Sequence, residues 1–279
     1  MKLLLLIMSS NKYSDRQNII RETWLKDYDG EYYFYVGDGK NNIDGDVIRL
    51  DCKDTYEDLH MKQGMILNFV LNNLDFDYIF NCDDNTYVIV DRMKNSGFQN
   101  YNYMGHPCII GDVYYAQGAA GYFLSKYAVT KFLETPFSNP IYNFKEMPSD
   151  FLVGSILASK NIYLHTNYLF NMGKYINNKG YYAVLPNNKN KYISSHYCDE
   201  KTMNLLYSHF HGDDNKIINC YQSRSDKSGL MYTITEDENG DFYIKGNGHP
   251  YLELGPFDTA IEAEIAVTKQ EENELLPNT

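Results

Sequence analysis

Residues Phe80–Asp91 read FNCDDNTYVIVD, two adjacent carboxylates and an amide set between apolar runs. Tyr78, Ile79 and Phe80 precede the acidic step, and Tyr87, Val88, Ile89 and Val90 follow it, all strand-forming residue types. A bare carboxylate in such a setting loses its hydration, so Asp83 and Asp84 require solvent, a basic partner or a metal ion. Two hard oxygen donors plus the amide oxygen of Asn85 at a strand end suit Mg²⁺ or Mn²⁺, ions that keep waters and share phosphate oxygens. A solvated acidic turn has the same composition, and D-D-N by itself does not choose between the two.

The elements around this step alternate. KLLLLIM reads as a strand, and a helix is predicted over Asp15–Trp24 with Ile20 and Trp24 on one face. YYFYVG and DVIRLD are the next strand candidates. TYEDLHMKQGMILNFVLNN then carries Leu59, Ile66, Leu67, Val70 and Leu71 at helical spacing, with Asp54 or Thr55 as N-cap. FDYIFNC is a strand that ends at the acidic step. This β-α-β-β-α-β order predicts an α/β fold, a sheet with helices on both faces. Ligands of such sheets gather at the carboxyl ends of the strands, which places Ser9, Ser10 and D-D-N on one edge. Downstream, YAQGAAGYFLSKYAVTKFLE reads as a small-residue turn, a short strand and a helix, and MPSDFLVGSILASKNI as an acidic loop leading into another helix. Residues 216–229 read as a linker, and 230–279 as a small β-β-β-α module with an Asn-Gly hairpin turn and a final helix that Asp258 caps and that carries Ile261 and Ile265 at i, i+4 spacing.

Bulk properties narrow the class. At 279 residues, 43% hydrophobic and 22% charged, the chain supports one large packed domain plus a small appendage. A net charge of −12 argues against a nucleic-acid surface but leaves room for a phosphate-bearing small molecule. The 27 tyrosines, with abundant Asn and Lys, point to an A+T-rich coding sequence. Cys52, Cys82, Cys108, Cys198 and Cys220 form no C-x-x-C pair, which disfavours structural zinc and favours free thiols in a reducing compartment. MKLLLLIMSS imitates a signal peptide, but a buried first strand followed by loop and helix is the preferred reading. No stretch approaches the ~20 apolar residues of a membrane span.

Several further segments resemble one family, the Fringe and β-1,3-galactosyltransferase group, glycosyltransferase family 31. CDDNTYVIVD looks most like the metal motif of its core 1 galactosyltransferase members. DRQNIIRETW is similar to the R-x-x-x-I-R-x-T-W helix through Arg16, Ile20, Arg21, Thr23 and Trp24. DTYEDLHMKQ is similar to D-x-Y-x-N-L-x-x-K through Asp54, Tyr56, Leu59 and Lys62. QGAAGYFLSK resembles G-G-A-G-Y-x-L-S-K through Gly118, Ala120, Gly121, Tyr122, Leu124, Ser125 and Lys126. PSDFLVG is similar to E-D-V-x-x-G through Asp150 and Gly154, and ISSHYCDEKTMNLLY resembles the later His-containing stretch. The ordered matches run from about Lys2 to Tyr207. Asn85 stands where the family has a third acidic residue, Ser149 where it has Glu, and Ala119 where it has Gly.

The resemblance implies a GT-A-type domain over residues 1–215 and inverting transfer of a hexose, galactose or a relative, from a UDP-sugar to a hydroxyl of a glycan or glycoprotein acceptor. It implies Mn²⁺ (or Mg²⁺) held by Asp83, Asp84, Asn85 and His196, the ion neutralising the departing diphosphate. Asp150 would be the general base, its alternative role being a helix N-cap. Ser9, Ser10, Arg16, Arg21, Lys62 and Asp83 are the nucleotide-side candidates, with Arg21 alternatively pairing an acidic neighbour such as Asp51. Gly118 and Gly121 would admit the sugar to the backbone, or simply form a tight turn. The family's usual anchor and disulfides are not apparent, which suggests a cytoplasmic protein of viral or phage origin. A non-catalytic sugar-nucleotide or glycan-binding relative is the first alternative, favoured by Asn85, and a nucleotidyl- or phosphoryl-transferase is the second.

Overall fold

The computed structural model describes residues 1–135, 148–176, 180–183 and 191–211, together with the strand segments 223–224, 231–236, 242–247 and 253–257. The apolar run at the start forms a strand, β1 (Leu3–Met8), whose residues Leu4 to Ile7 are all buried. Removing each of these side chains from water stabilises the fold by about 1.5–3 kcal/mol. Alternation along β1 sends Leu4 and Leu6 to one face of the sheet and Leu5 and Ile7 to the other, so each face nucleates its own core.

After β1 come α1 (Ser14–Glu22), β2 (Glu31–Val36), β3 (Asn42–Asp44), β4 (Val47–Arg49), α2 (Leu59–Asn73) and β5 (Tyr78–Asp83). The acidic step follows, then β6 (Tyr87–Val88), α3 (Val90–Lys94), β7 (Tyr103–Gly105), the hairpin β8 (Pro107–Ile110) and β9 (Val113–Ala116), β10 (Tyr122–Ser125) and α4 (Lys126–Leu133). The later part holds α5 (Ser149–Ser159), β11 (His165–Thr166), β12 (Phe170–Asn171), the short pair β13 (Lys174–Ile176) and β14 (Gly180–Tyr182), β15 (Ser194–Ser195) and α6 (Glu200–His211).

The main sheet has eight strands in the order β11-β7-β10-β5-β1-β2-β4-β3. β1, β2, β4 and β5 run parallel, whereas β10 is antiparallel to β5 and to β7. One face packs on α1, α3 and α6 through Ile20, Met93, Met203 and Leu206; the other packs on α2, α4 and α5 through Ile66, Val70, Phe132 and Leu152. The predicted mixed α/β sheet with helices on both faces is therefore observed.

Three local expectations change. α2 begins at Leu59 with Asp58 at its N-cap position, so neither Asp54 nor Thr55 caps it. The apolar residues after D-D-N form only the two-residue strand β6 before α3 starts at Val90. The β8–β9 hairpin is an addition between two predicted elements.

β6 pairs with β15, and β15 with β12, in a small second sheet that carries the 194–196 segment to the acidic step. At the C-terminal end, β16 (Ser223–Arg224), β17 (Met231–Glu236), β18 (Phe242–Asn247) and β19 (Glu253–Phe257) form an antiparallel sheet in sequence order. The predicted hairpin pair and third strand correspond to β17–β19, and β16 falls within the predicted linker. The Asn-Gly turn, the predicted final helix and Cys220 lie outside the described residues.

Candidate active site

β1 and β5 are adjacent and parallel, with Met8 opposite Asp83, so both chains leave the sheet at the same carboxyl edge. The Asp84 backbone N–H donates to the Met8 carbonyl at 3.0 Å, which fixes the acidic step beside Ser9. β10 enters from the opposite direction with Tyr122 beside Asn81, and this places the small-residue loop 117–121 at that edge too. The Ala119 carbonyl accepts from the Asp83 backbone N–H (3.3 Å) and from Thr86 Oγ1 (2.7 Å). Gly118 N–H donates to Asp150 Oδ2 at 2.9 Å, and Phe151 N–H donates to Asp150 Oδ1 at 2.8 Å. One loop thus links the acidic step to the predicted base.

Both loop glycines are required by their surroundings. A Cβ on Gly118 would lie 3.1 Å from the Cβ of Asp150, and one on Gly121, where φ is +104°, would lie 2.3 Å from the Phe80 ring. Gly118 therefore brings backbone against Asp150, and Gly121 adopts a left-handed conformation over a core aromatic.

The three carboxylates differ in their partners. Asp83 Oδ1 is buried with no hydrogen-bond partner among the described residues. Burial, reinforced by the charges of Asp84 and Asp150, pushes the Asp83 carboxyl up to about 7. Asp84 accepts from Ser9 Oγ on Oδ2 (2.7 Å) and from Arg16 Nη1 on Oδ1 (3.0 Å). Burial still raises its pKa against these bonds. Asp150 sits in the first turn of α5, and burial raises it as well, opposed by the N–H groups of Gly118 and Phe151.

His196 reaches the acidic step directly after the strand β15. Its backbone N–H donates to the Asn171 carbonyl, while Cys198 N–H donates to the Asn85 carbonyl at 2.9 Å. Thr86 Oγ1 lies 3.0 Å from His196 Nδ1. The threonine hydroxyl has one hydrogen, and the Ala119 carbonyl can only accept it, so Nδ1 carries the proton of the second bond. That tautomer leaves Nε2 with a bare lone pair and no partner among the described residues. Burial, with the nearby Arg16 charge, lowers the His196 pKa to about 4, so the ring is neutral near pH 7.

The predicted site residues therefore divide. Ser9, Arg16, Asp83, Asp84, Asn85, Gly118, Gly121, Asp150 and His196 are brought together at the carboxyl edge. Ser10 is buried beside them, its carbonyl accepting from Tyr13 N–H. Arg16 lines a cleft of about 270 Å³ with Asp84, Asn85 and Tyr197. Its guanidinium lies over the Tyr13 ring, 4.0 Å from the centroid. Asp84, expected as a metal ligand, accepts from Ser9 on one oxygen and from Arg16 on the other.

Two nucleotide candidates are paired with acidic residues of the fold. Arg21 pairs with Asp46 through Nε (2.7 Å) and Nη2 (2.9 Å) and lies over Phe34, tying α1 to the β3–β4 turn. Its partner is acidic, as the alternative reading had it, but it is Asp46 rather than Asp51. Lys62 is a buried side chain paired with Asp54, and its ammonium also donates to the Ser9 carbonyl at 3.0 Å. It faces the interior. Sequence reasoning missed Thr86 as the group that orients His196, although its place directly after D-D-N is the available signal. For Asp54 the sequence offers a cap role and a place in the D-x-Y-x-N-L-x-x-K resemblance, but no sign of its pairing with Lys62.

The family model described as galactosyltransferase matches residues 15–113. No curated protein sequence matches the chain. Among solved structures, similarity is found to a glycosyltransferase involved in the glycosylation of the major capsid of PBCV-1. That likeness has 11% identity and a TM-score of 0.42, over 62% of this chain and 84% of that one. A197 from STIV (12% identity, TM-score 0.35, covering 60% and 82%) is also similar. So is the apo-form glycosyltransferase GlyE of Streptococcus pneumoniae TIGR4 (11% identity, TM-score 0.39, covering 62% and 47%). The residues matched by that family model run from α1 through the acidic step to the start of β9.

Proposed function

We propose that this protein is an inverting glycosyltransferase that moves a hexose, galactose or a relative, from a UDP-sugar to a hydroxyl of a glycan or glycosylated acceptor. The observation that carries the reading is the convergence of Asp150 with the acidic step through the 117–121 loop, in a chain whose residues 15–113 match the galactosyltransferase family model.

In this reading Asp150 takes the proton of the acceptor hydroxyl as its oxygen attacks the anomeric carbon. The new bond joins that carbon to the acceptor oxygen, and the bond to the diphosphate oxygen breaks on the opposite face. Gly118 and Phe151 N–H groups hold the two carboxylate oxygens, leaving a lone pair on each for the incoming proton. The raised pKa makes Asp150 a stronger base than a solvated aspartate.

A divalent ion belongs to the resemblance, and part of the donor set suits one. His196 offers a bare Nε2 oriented by Thr86, Asp83 an unpartnered buried oxygen, and Asn85 a neutral amide oxygen. Among the described residues no three His, Cys, Asp or Glu side chains are placed to share an ion, so these donors suit one held jointly with diphosphate and water. His196, Asn85 and Asp83 would hold it, and it would neutralise charge on the departing diphosphate.

The test is UDP release from a panel of UDP-sugars, with acceptor, in Mn²⁺ and in chelator. Release from at least one donor is expected, and silence across the panel would overturn the reading. Asn85 and the Arg16–Asp84 pair favour one alternative, a binding protein without turnover. UDP affinity indifferent to Mn²⁺, with no release, would identify it.

A further inference from the structure

Lys62, a nucleotide candidate of the sequence, is enclosed in a polar knot behind the turns that follow β1 and β2. The Lys62 side chain is 2% exposed and that of Asp54 5%, and the two form an ion pair. Asp54 also accepts from the Asn11 backbone N–H on Oδ2 (2.7 Å) and the Gly37 backbone N–H on Oδ1 (3.1 Å). Lys62 donates to the Ser9 carbonyl. Asn11 ties the same turns a second time, its Nδ2 donating to the Gly37 carbonyl at 3.0 Å while its Oδ1 accepts from Arg49 at 2.8 Å. A Cβ on Gly37 would lie 2.7 Å from the Cys52 carbonyl oxygen, so the chains meet here at backbone contact.

Ser9–Asn11 follows β1 and Gly37 follows β2, adjacent parallel strands that end at the same carboxyl edge of the sheet. Ser9 is held at both ends: its carbonyl by Lys62, and its hydroxyl on Asp84, which itself pairs with Arg16. A continuous chain of hydrogen bonds thus links Lys62 through Ser9 to Asp84 and Arg16, which line the cleft.

We propose that Lys62 and Asp54 are positioning residues of the nucleotide site, holding the turns after β1 and β2 in the geometry that receives a nucleoside diphosphate, without touching it. The identity of the ligand rests on the glycosyl-transfer reading; the clamp itself does not. A direct phosphate contact by Lys62 would strand Asp54 as a buried, partly unpaired charge, which is strongly unfavourable.

Lys62→Gln, Asp54→Asn and the double variant separate the two roles. Each single change leaves one buried charge without its partner, whereas the double change installs a neutral hydrogen-bonding pair. Calorimetry with UDP and amide hydrogen exchange at Asn11 and Gly37 are the readouts. Each single variant is expected to lose at least about tenfold in UDP affinity and in exchange protection at both amides. The double variant is expected to recover both to within about threefold of wild type, with donor KM following affinity and kcat at saturating donor little changed. A double variant as weak for UDP as Lys62→Gln, with exchange at Asn11 and Gly37 unaltered in every variant, would make Lys62 a direct ligand and overturn the clamp. If the wild type binds no UDP, the functional reading fails, and the exchange pattern still decides the clamp.

Discussion

Asp83→Asn is the most informative single substitution, because it separates the electrostatic cost of the acidic step from its packing. An ordinary aspartate carboxyl titrates near 3.8, and this one stands near 7 in the fold, raised first by burial and then by Asp84 and Asp150. A carboxyl raised on folding favours the protonated state, so its contribution to stability is complete below about pH 4 and is lost as pH rises to about 7. At ~1.4 kcal/mol per pH unit, the three-unit window amounts to about 4 kcal/mol. Urea denaturation from pH 4 to pH 8, without divalent ions, should therefore show wild-type stability falling relative to Asp83→Asn by that amount. The difference should level off above pH 7. Mn²⁺ with UDP should restore part of the wild-type loss and little of the variant's. Parallel curves across the whole range would refute the reasoning, because they would mean that Asp83 is solvated or partnered in the folded protein.

Asp150→Asn should lower kcat by about 10²–10⁴-fold while UDP-sugar affinity stays within a few fold, read by single-turnover kinetics and calorimetry. In the wild type, activity should rise with pH as Asp150 loses its proton, with a midpoint above the usual aspartate value; a limb confined below pH 4 would contradict its burial. His196→Ala should abolish any gain in UDP affinity on adding Mn²⁺ and leave the affinity in chelator unchanged. Gly121→Ala should destabilise the protein by at least about 2–3 kcal/mol in denaturant titration, since a Cβ there both meets Phe80 and opposes a φ of +104°.

Much of this site was legible in the sequence because parallel topology leaves few places for a strand end to go. Once KLLLLIM and FDYIFNC were read as strands of one α/β sheet, Ser9 and Asp83 had to share an edge, and they do. The G-A-A-G loop and Asp150 were tied to that edge only by resemblance, yet Gly118 and Asp150 are in direct contact. Partner choice among charges was not legible. Arg21 and Lys62 have the residue type of phosphate ligands, but their partners, Asp46 and Asp54, are set by loops whose path no periodicity records. Asp84 resembles Asp83 in sequence and differs in the fold, because Arg16 comes from 68 positions away. The β8–β9 hairpin escaped notice because its strands are short and Ile109 and Ile110 break the alternation that would have marked it.

The Ala119 peptide sits between the group that would meet the leaving side of the sugar and the group that would meet the attacking side. Its carbonyl grips the turn holding Asp83, and the neighbouring Gly118 nitrogen grips Asp150. The two chemical poles cannot drift apart independently: whatever tilts that four-residue bridge moves both ends together. Selection for a different sugar or a different acceptor would therefore find its changes elsewhere, in side chains that reach over the bridge rather than in the bridge itself.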